Sequence, residues 1–189
     1  MDPPIVYIEK EPFLNMLIAA ADTFRRECFG YFFGKKPSRI RNMYIIKNAI
    51  AVQGTIKRAN TEVRVSKGCH ERLDRIFSKY PSLYSGIGYF HSHPEWGSIP
   101  GSHEMSDGDI CEMAKSDSEI AVVLKISSRK RERLDWVSKP DGGMRGSYGD
   151  YVVDVNVYRL IKDGSDNIPE SLQIISPASI KSLNRANRK

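Results

Sequence analysis

Cysteine is scarce and poorly spaced for a framework. Cys28, Cys69 and Cys111 are the three in 189 residues, and no two form a Cys-x-x-Cys pair. This excludes a disulfide scaffold and a cysteine-rich zinc site. Long apolar runs are also missing. No stretch reaches the roughly 20 apolar residues of a membrane span, and the N-terminus lacks the charged start and apolar run of a signal peptide. A cytoplasmic protein without a membrane partner is expected. Internal repeats and low-complexity segments are absent as well. Charge of one sign is not dominant, with 29 Lys and Arg against 23 Asp and Glu, a net charge of +6. By chain position the densest basic clusters are residues 129–133 and 181–189. That spread suits a solvated surface. An acidic protein partner is compatible with it, and nucleic acid is not indicated beyond the basic charge itself.

What is present is enough for a core: 40% of residues are hydrophobic and 28% charged, the balance of an ordinary globular domain. Residues 12–24 place Phe13, Leu14, Leu17, Ile18, Ala21 and Phe24 at helical spacing, with Pro12 suited to a first turn. Residues 28–33, 42–52 and 62–66 read as strands, residues 68–80 as a helix and residues 85–91 as a central strand. A Gly, Ser and Pro-rich loop follows, then a helix over 106–115 with Ser106 or Asp107 near its N-cap. Strands are expected over 120–126, 133–137 and 151–161. The four glycines of residues 139–149 read as a mobile loop, either a clamp over substrate or a passive connector. The expected fold class is α/β, one mixed-sheet domain flanked by helices over residues 1–161, with residues 162–189 as a C-terminal extension, helical or partly disordered.

The chemistry concentrates in Gly88-Tyr89-Phe90-His91-Ser92-His93-Pro94. Residues two apart on a strand share a face, so His91 and His93 can offer two imidazoles to one ion. A catalytic zinc takes three protein ligands and keeps a position for water. The third must come from His103, Glu104, Asp107 or Asp109. On spacing alone the plainer reading is favoured, with His93 a loop residue and His91 a buried donor.

The joint pattern is more specific. His91-Ser92-His93-Pro94 followed by Ser106-x-x-Asp109 resembles the signature of JAMM (MPN+) metalloproteases. Glu27-Cys28-Phe29-Gly30 through Gly34 looks like that family's glutamate block after its first helix. The resemblance spans roughly residues 12–126. It implies an MPN-like (cytidine-deaminase-like) fold, a Zn2+ cofactor on His91, His93 and Asp109, Glu27 as the acid/base and Ser106 as a hydroxyl facing the developing oxyanion. It further implies a peptidase or isopeptidase acting on the C-terminal tail of a ubiquitin-like or sulfur-carrier protein. The step from His93 to Asp109 is longer than the family's, and Asp107 is the rival third ligand. A catalytically inactive MPN-type scaffold that binds protein partners is the alternative, and it predicts lost ligands, whereas all five residues are present. A zinc nucleobase deaminase would need His-x-Glu and Pro-Cys-x-x-Cys, and neither occurs.

Plainer roles compete at each position. Ser106 also reads as a helix N-cap, Glu27 as a carboxylate paired with Arg25 or Arg26, Cys28 as core and His70 as an exposed helix opener. Trp96 reads as a rim of the cleft or as loop packing.

Overall fold

The computed structural model describes residues 2–58, 63–116, 118–128 and 133–188. The basic cluster at 129–132 lies outside them. The order is β1 (Ile5–Ile8), α1 (Lys10–Asp22), β2 (Phe29–Lys35), β3 (Met43–Ala51), β4 (Thr55–Arg58), β5 (Val63–Val65), α2 (Lys67–Lys79), β6 (Gly86–Glu95), α3 (Asp107–Lys115), β7 (Ile120–Ser128), β8 (Val137–Ser138), β9 (Met144–Tyr148), β10 (Tyr151–Asp163), β11 (Asp166–Leu172), β12 (Ile174–Ile175) and α4 (Pro177–Asn187).

Ten strands make one sheet in the order β12-β1-β3-β2-β6-β7-β10-β9-β8, with β11 beside the far half of β10. The sheet is mixed. β6 runs parallel to β7 and antiparallel to β2, so this is an α/β domain with helices on both faces. Alternation along the strands builds two cores. On one face Phe32, Phe90, Leu124 and Trp136 pack with Phe13 and Leu17 of α1 and Leu183 of α4. On the other, Phe29, Tyr89, Val123 and Tyr158 pack with Cys69 of α2 and Met113 of α3. Full burial of a side chain such as Phe13 contributes about 1.5–3 kcal/mol. Gly30 is required where β2 crosses β6, because a Cβ there would lie 2.3 Å from the Phe90 ring.

Three expectations change. The segment read as a mobile loop, residues 139–149, contains β9, which pairs with β10 through Val153↔Gly146 and its neighbours. The strand expected over 133–137 shrinks to β8. The break after residue 161 falls inside β10, and the residues beyond it are woven into the sheet. β11 pairs with β10, β12 lies parallel to β1, and the Ser176 hydroxyl donates to the Ile8 carbonyl at 2.7 Å. The short apolar pieces Ile168, Leu172 and Ile174 carry no periodicity long enough to announce this. Among the described residues, no helix is long and apolar enough to cross a membrane.

Candidate metal centre

β6 carries the two histidines near its C-terminal end. Tyr89, His91 and His93 share the face that looks toward α3, and Phe90, Ser92 and Pro94 share the other. β2 begins at Phe29, opposite His91, so past that point β6 has no β2 ladder beside it. Pro94, which has no N–H to donate, therefore costs no ladder bond. On the other side the β7 ladder continues through His93↔Lys125 and Pro94↔Ile126 and keeps the strand straight.

The ring nitrogens converge. His91 Nε2 and His93 Nε2 are 3.0 Å apart. The Asp109 carboxylate, from the first turn of α3, completes the group, with Oδ1 at 3.3 Å from His91 Nε2 and Oδ2 at 3.5 Å from His93 Nε2. Together these three residues can hold a metal ion, their ligand atoms all lying within 4.8 Å of one another. The tautomer suits that role. His93 Nδ1 lies 3.0 Å from the Ser102 carbonyl, which can only accept, so Nδ1 carries the proton and Nε2 keeps its lone pair for a cation. Two imidazole lone pairs facing each other beside a carboxylate repel unless a proton or a cation lies among them. The donor set therefore fits a metal ion.

Asp109, not Asp107, faces the histidines, and Asp107 is exposed one turn position away. Ser106 and Asp109 form a reciprocal cap. The Ser106 N–H donates to Asp109 Oδ2 at 2.8 Å, the Ser106 hydroxyl donates to the same oxygen at 2.7 Å, and the Asp109 N–H donates back to the Ser106 hydroxyl at 3.2 Å. This capping box ties the helix end to the candidate ligand. Burial pushes the Asp109 carboxyl up, but the hydrogen bonds of His91 and His93 outweigh it and hold the group well below the usual carboxylate range. Burial likewise pushes His93 down, and the hydrogen bond and charge of Asp109, followed by the charge of Glu27, outweigh it and leave His93 raised.

Glu27 is 7% exposed. It lines the same cleft of about 350 Å³ as His91, His93, Ser106 and Asp109, beside the apolar walls of Phe29, Tyr89 and Ile99. What places it there is Ser92. Pointing away from the metal face and fully buried, Ser92 accepts the Cys28 N–H on its hydroxyl at 2.9 Å, while its own N–H donates to the Cys28 carbonyl at 3.3 Å. The residue between the histidines thus fixes the backbone next to Glu27. Sequence reasoning had no signal for this partner across 64 residues.

The loop 94–105 is held at several points. Trp96 packs edge-on against Phe24 at 6.1 Å, and the Arg25 guanidinium lies 3.6 Å from the centre of the indole. Arg25 takes a φ of 80° to reach it. Glu95 pairs with Lys125 at 2.9 Å, and the Tyr158 hydroxyl donates to the His103 carbonyl at 2.9 Å. His103 and Glu104, the other candidate ligands, are not in the metal group. Cys28 is buried core, and His70 is half-buried with Nδ1 2.7 Å from the Tyr31 hydroxyl rather than fully exposed.

No protein-family profile and no curated protein matches this chain. Among solved structures, it is similar to the solution structure of protein DSY2949 from Desulfitobacterium hafniense, a structural-genomics target. The two share 17% identity over 91% of this chain and 92% of that one, with a TM-score of 0.48. A likeness this loose carries no functional argument.

Proposed function

We propose that this chain is a zinc-dependent peptidase or isopeptidase of the JAMM type, on an MPN-like fold, hydrolysing an amide bond at the C-terminal tail of a ubiquitin-like or sulfur-carrier protein. The observation that carries the reading is the convergence of His91, His93 and Asp109 on one point of a cleft that Glu27 also lines. These are the residues the JAMM resemblance names, drawn from separate parts of the chain.

His91 Nε2, His93 Nε2 and the Asp109 carboxylate would hold the zinc, which supplies Lewis acidity and lowers the pKa of water in its shell to about 7. Glu27 accepts a proton at its carboxylate and returns it to the departing amine nitrogen. Ser106 lines the cleft at the start of α3; its hydroxyl, which donates to Asp109, would turn to the scissile carbonyl, where the N–H groups of the helix end add positive potential as negative charge develops. An extended tail entering past Phe29 and Tyr89 leaves its water behind as it reaches the histidines.

The test is zinc per chain in purified protein, together with hydrolysis of a tail fused to a reporter. About one zinc is expected in the native protein, lost in His93→Ala and Asp109→Ala and kept in Asp107→Ala. Glu27→Gln should keep its zinc and lose activity by roughly 100-fold to 10,000-fold, the span attributed to general acid–base catalysis. No zinc after reconstitution would sink the hydrolase reading in favour of a partner-binding scaffold.

A further inference from the structure

The net charge of the chain resides in one segment. Residues 28–61 contain no Asp or Glu and seven cations: Lys35, Lys36, Arg39, Arg41, Lys47, Lys57 and Arg58. Removing those seven from the 29 Lys and Arg leaves 22, against 23 Asp and Glu in the rest of the chain. An even spread by chain position thus hides a concentrated excess.

The fold gathers five of these cations at one end of the sheet. Lys35 ends β2, Lys47 lies on β3, and the connection between them carries Lys36, Arg39 and Arg41, all exposed. Lys36 pairs with Glu119. Among the described residues, Lys35, Arg39, Arg41 and Lys47 have no carboxylate partner. The connection is a defined hairpin tip. Ser38 and Arg41 exchange both backbone hydrogen bonds, at 2.9 and 3.2 Å, and the Ser38 hydroxyl accepts the Arg41 N–H as well. At the apex Ile40 is 100% exposed between two arginines. Below it, Lys35, Lys36 and Lys47 border a cleft of about 540 Å³ that Asn48, Ser82 and Ser85 also line.

We propose that this hairpin tip is a docking surface for double-stranded nucleic acid. Phosphate backbones call for repeated positive charge supplemented by amide and hydroxyl donors; the patch offers four cations without a carboxylate partner among the described residues, with Asn48, Ser82 and Ser85 beside them, and Lys36 is the one held by a carboxylate, that of Glu119. A bare aliphatic side chain flanked by arginines on a narrow tip matches an apolar wedge entering a minor groove beside Arg side chains. A protein partner favours an apolar, aromatic-rich centre depleted of charge, and here the exposed Ile40 and, at the cleft below, Leu83 are set among cations. The surface is independent of the hydrolase reading. Along β2, the six residue steps from Phe29, beside His91, to Lys35 span about 20 Å, so a duplex bound at the tip leaves the metal cleft open.

The experiment is fluorescence anisotropy of a short labelled DNA duplex of mixed sequence, titrated with full-length protein at several salt concentrations. With four or five phosphates neutralised, affinity should fall roughly 150-fold to 500-fold between 50 and 200 mM salt. Lys35→Ala/Arg39→Ala/Arg41→Ala should weaken binding at least 10-fold at low salt and flatten the salt slope, and Ile40→Ser should weaken binding without changing the slope. Lys181→Ala/Arg185→Ala on α4, a second basic stripe, should bind like the native protein. All these positions are surface ones, and an unchanged melting temperature confirms folding. The proposal is overturned if the tip variants bind as tightly as the native protein, if the α4 variant carries the loss, or if the native protein ignores duplex and binds polyglutamate instead, which would make the partner an acidic protein. None of these outcomes depends on zinc content or hydrolysis.

Discussion

At the scale of single residues, the site includes two side chains whose protonation is linked, His93 and Asp109. In the metal-free protein, His93 is raised and Asp109 is depressed because each faces the other. The stabilisation from His93 is complete below the free imidazole value of about 6.5 and is lost as pH rises through the folded value. That from Asp109 is present above about 3.9 and is lost as pH falls toward its depressed value. Chelated protein should therefore melt highest between about pH 4 and 6.5. Zinc-loaded protein should gain stability as pH rises past 6.5, since metal competes with protons for the ligand nitrogens. A melting temperature of the chelated protein that keeps climbing from pH 6 to 8 would contradict the linkage. The two histidines were legible in the sequence because a strand repeats every two residues, and Asp109 was legible as the fourth position of Ser-x-x-Asp. Ser92 was not legible in its role, since its partner Cys28 is brought near only by the β2–β6 pairing.

At the scale of elements, α3 does two jobs with one turn. Its capping box stabilises the helix and orients the candidate ligand, because Ser106 donates to the same Asp109 oxygen that faces His93. Ser106→Ala should cost about 0.5–2 kcal/mol of stability as a lost cap. If the hydroxyl also meets the developing oxyanion, activity per bound zinc should drop in kcat while KM holds. A loss of stability with kcat per zinc unchanged would leave Ser106 as a cap alone. Most elements were readable from periodicity. The expected helix at 68–80 is α2 at Lys67–Lys79, and the expected strand at 120–126 is β7 at Ile120–Ser128. Those that were not readable are short and take their stability from neighbours. β1 has four residues between parallel partners and β12 has two, too few for any pattern to show.

At the scale of the whole molecule, the last strands and α4 close the face that α1 opens. Asn184 accepts the Trp136 N–H at 2.6 Å and donates to its carbonyl at 3.1 Å, and Trp136 in turn meets Phe13 edge-on at 5.2 Å. The chain's two tryptophans consequently live in opposite worlds. Trp136 is sealed at 2% exposure, and Trp96 stands 40% exposed on the loop that follows His93, packed against Phe24 under the Arg25 guanidinium. Emission should divide accordingly. A neutral collisional quencher such as acrylamide should extinguish a red-shifted component that disappears in Trp96→Phe, and leave a blue component untouched. Rearrangement of the loop 96–105 should shift the red component, whereas a duplex on the hairpin should leave it in place. The protein thus carries a built-in optical reporter for the packing of the loop after His93 and is dark to the hairpin.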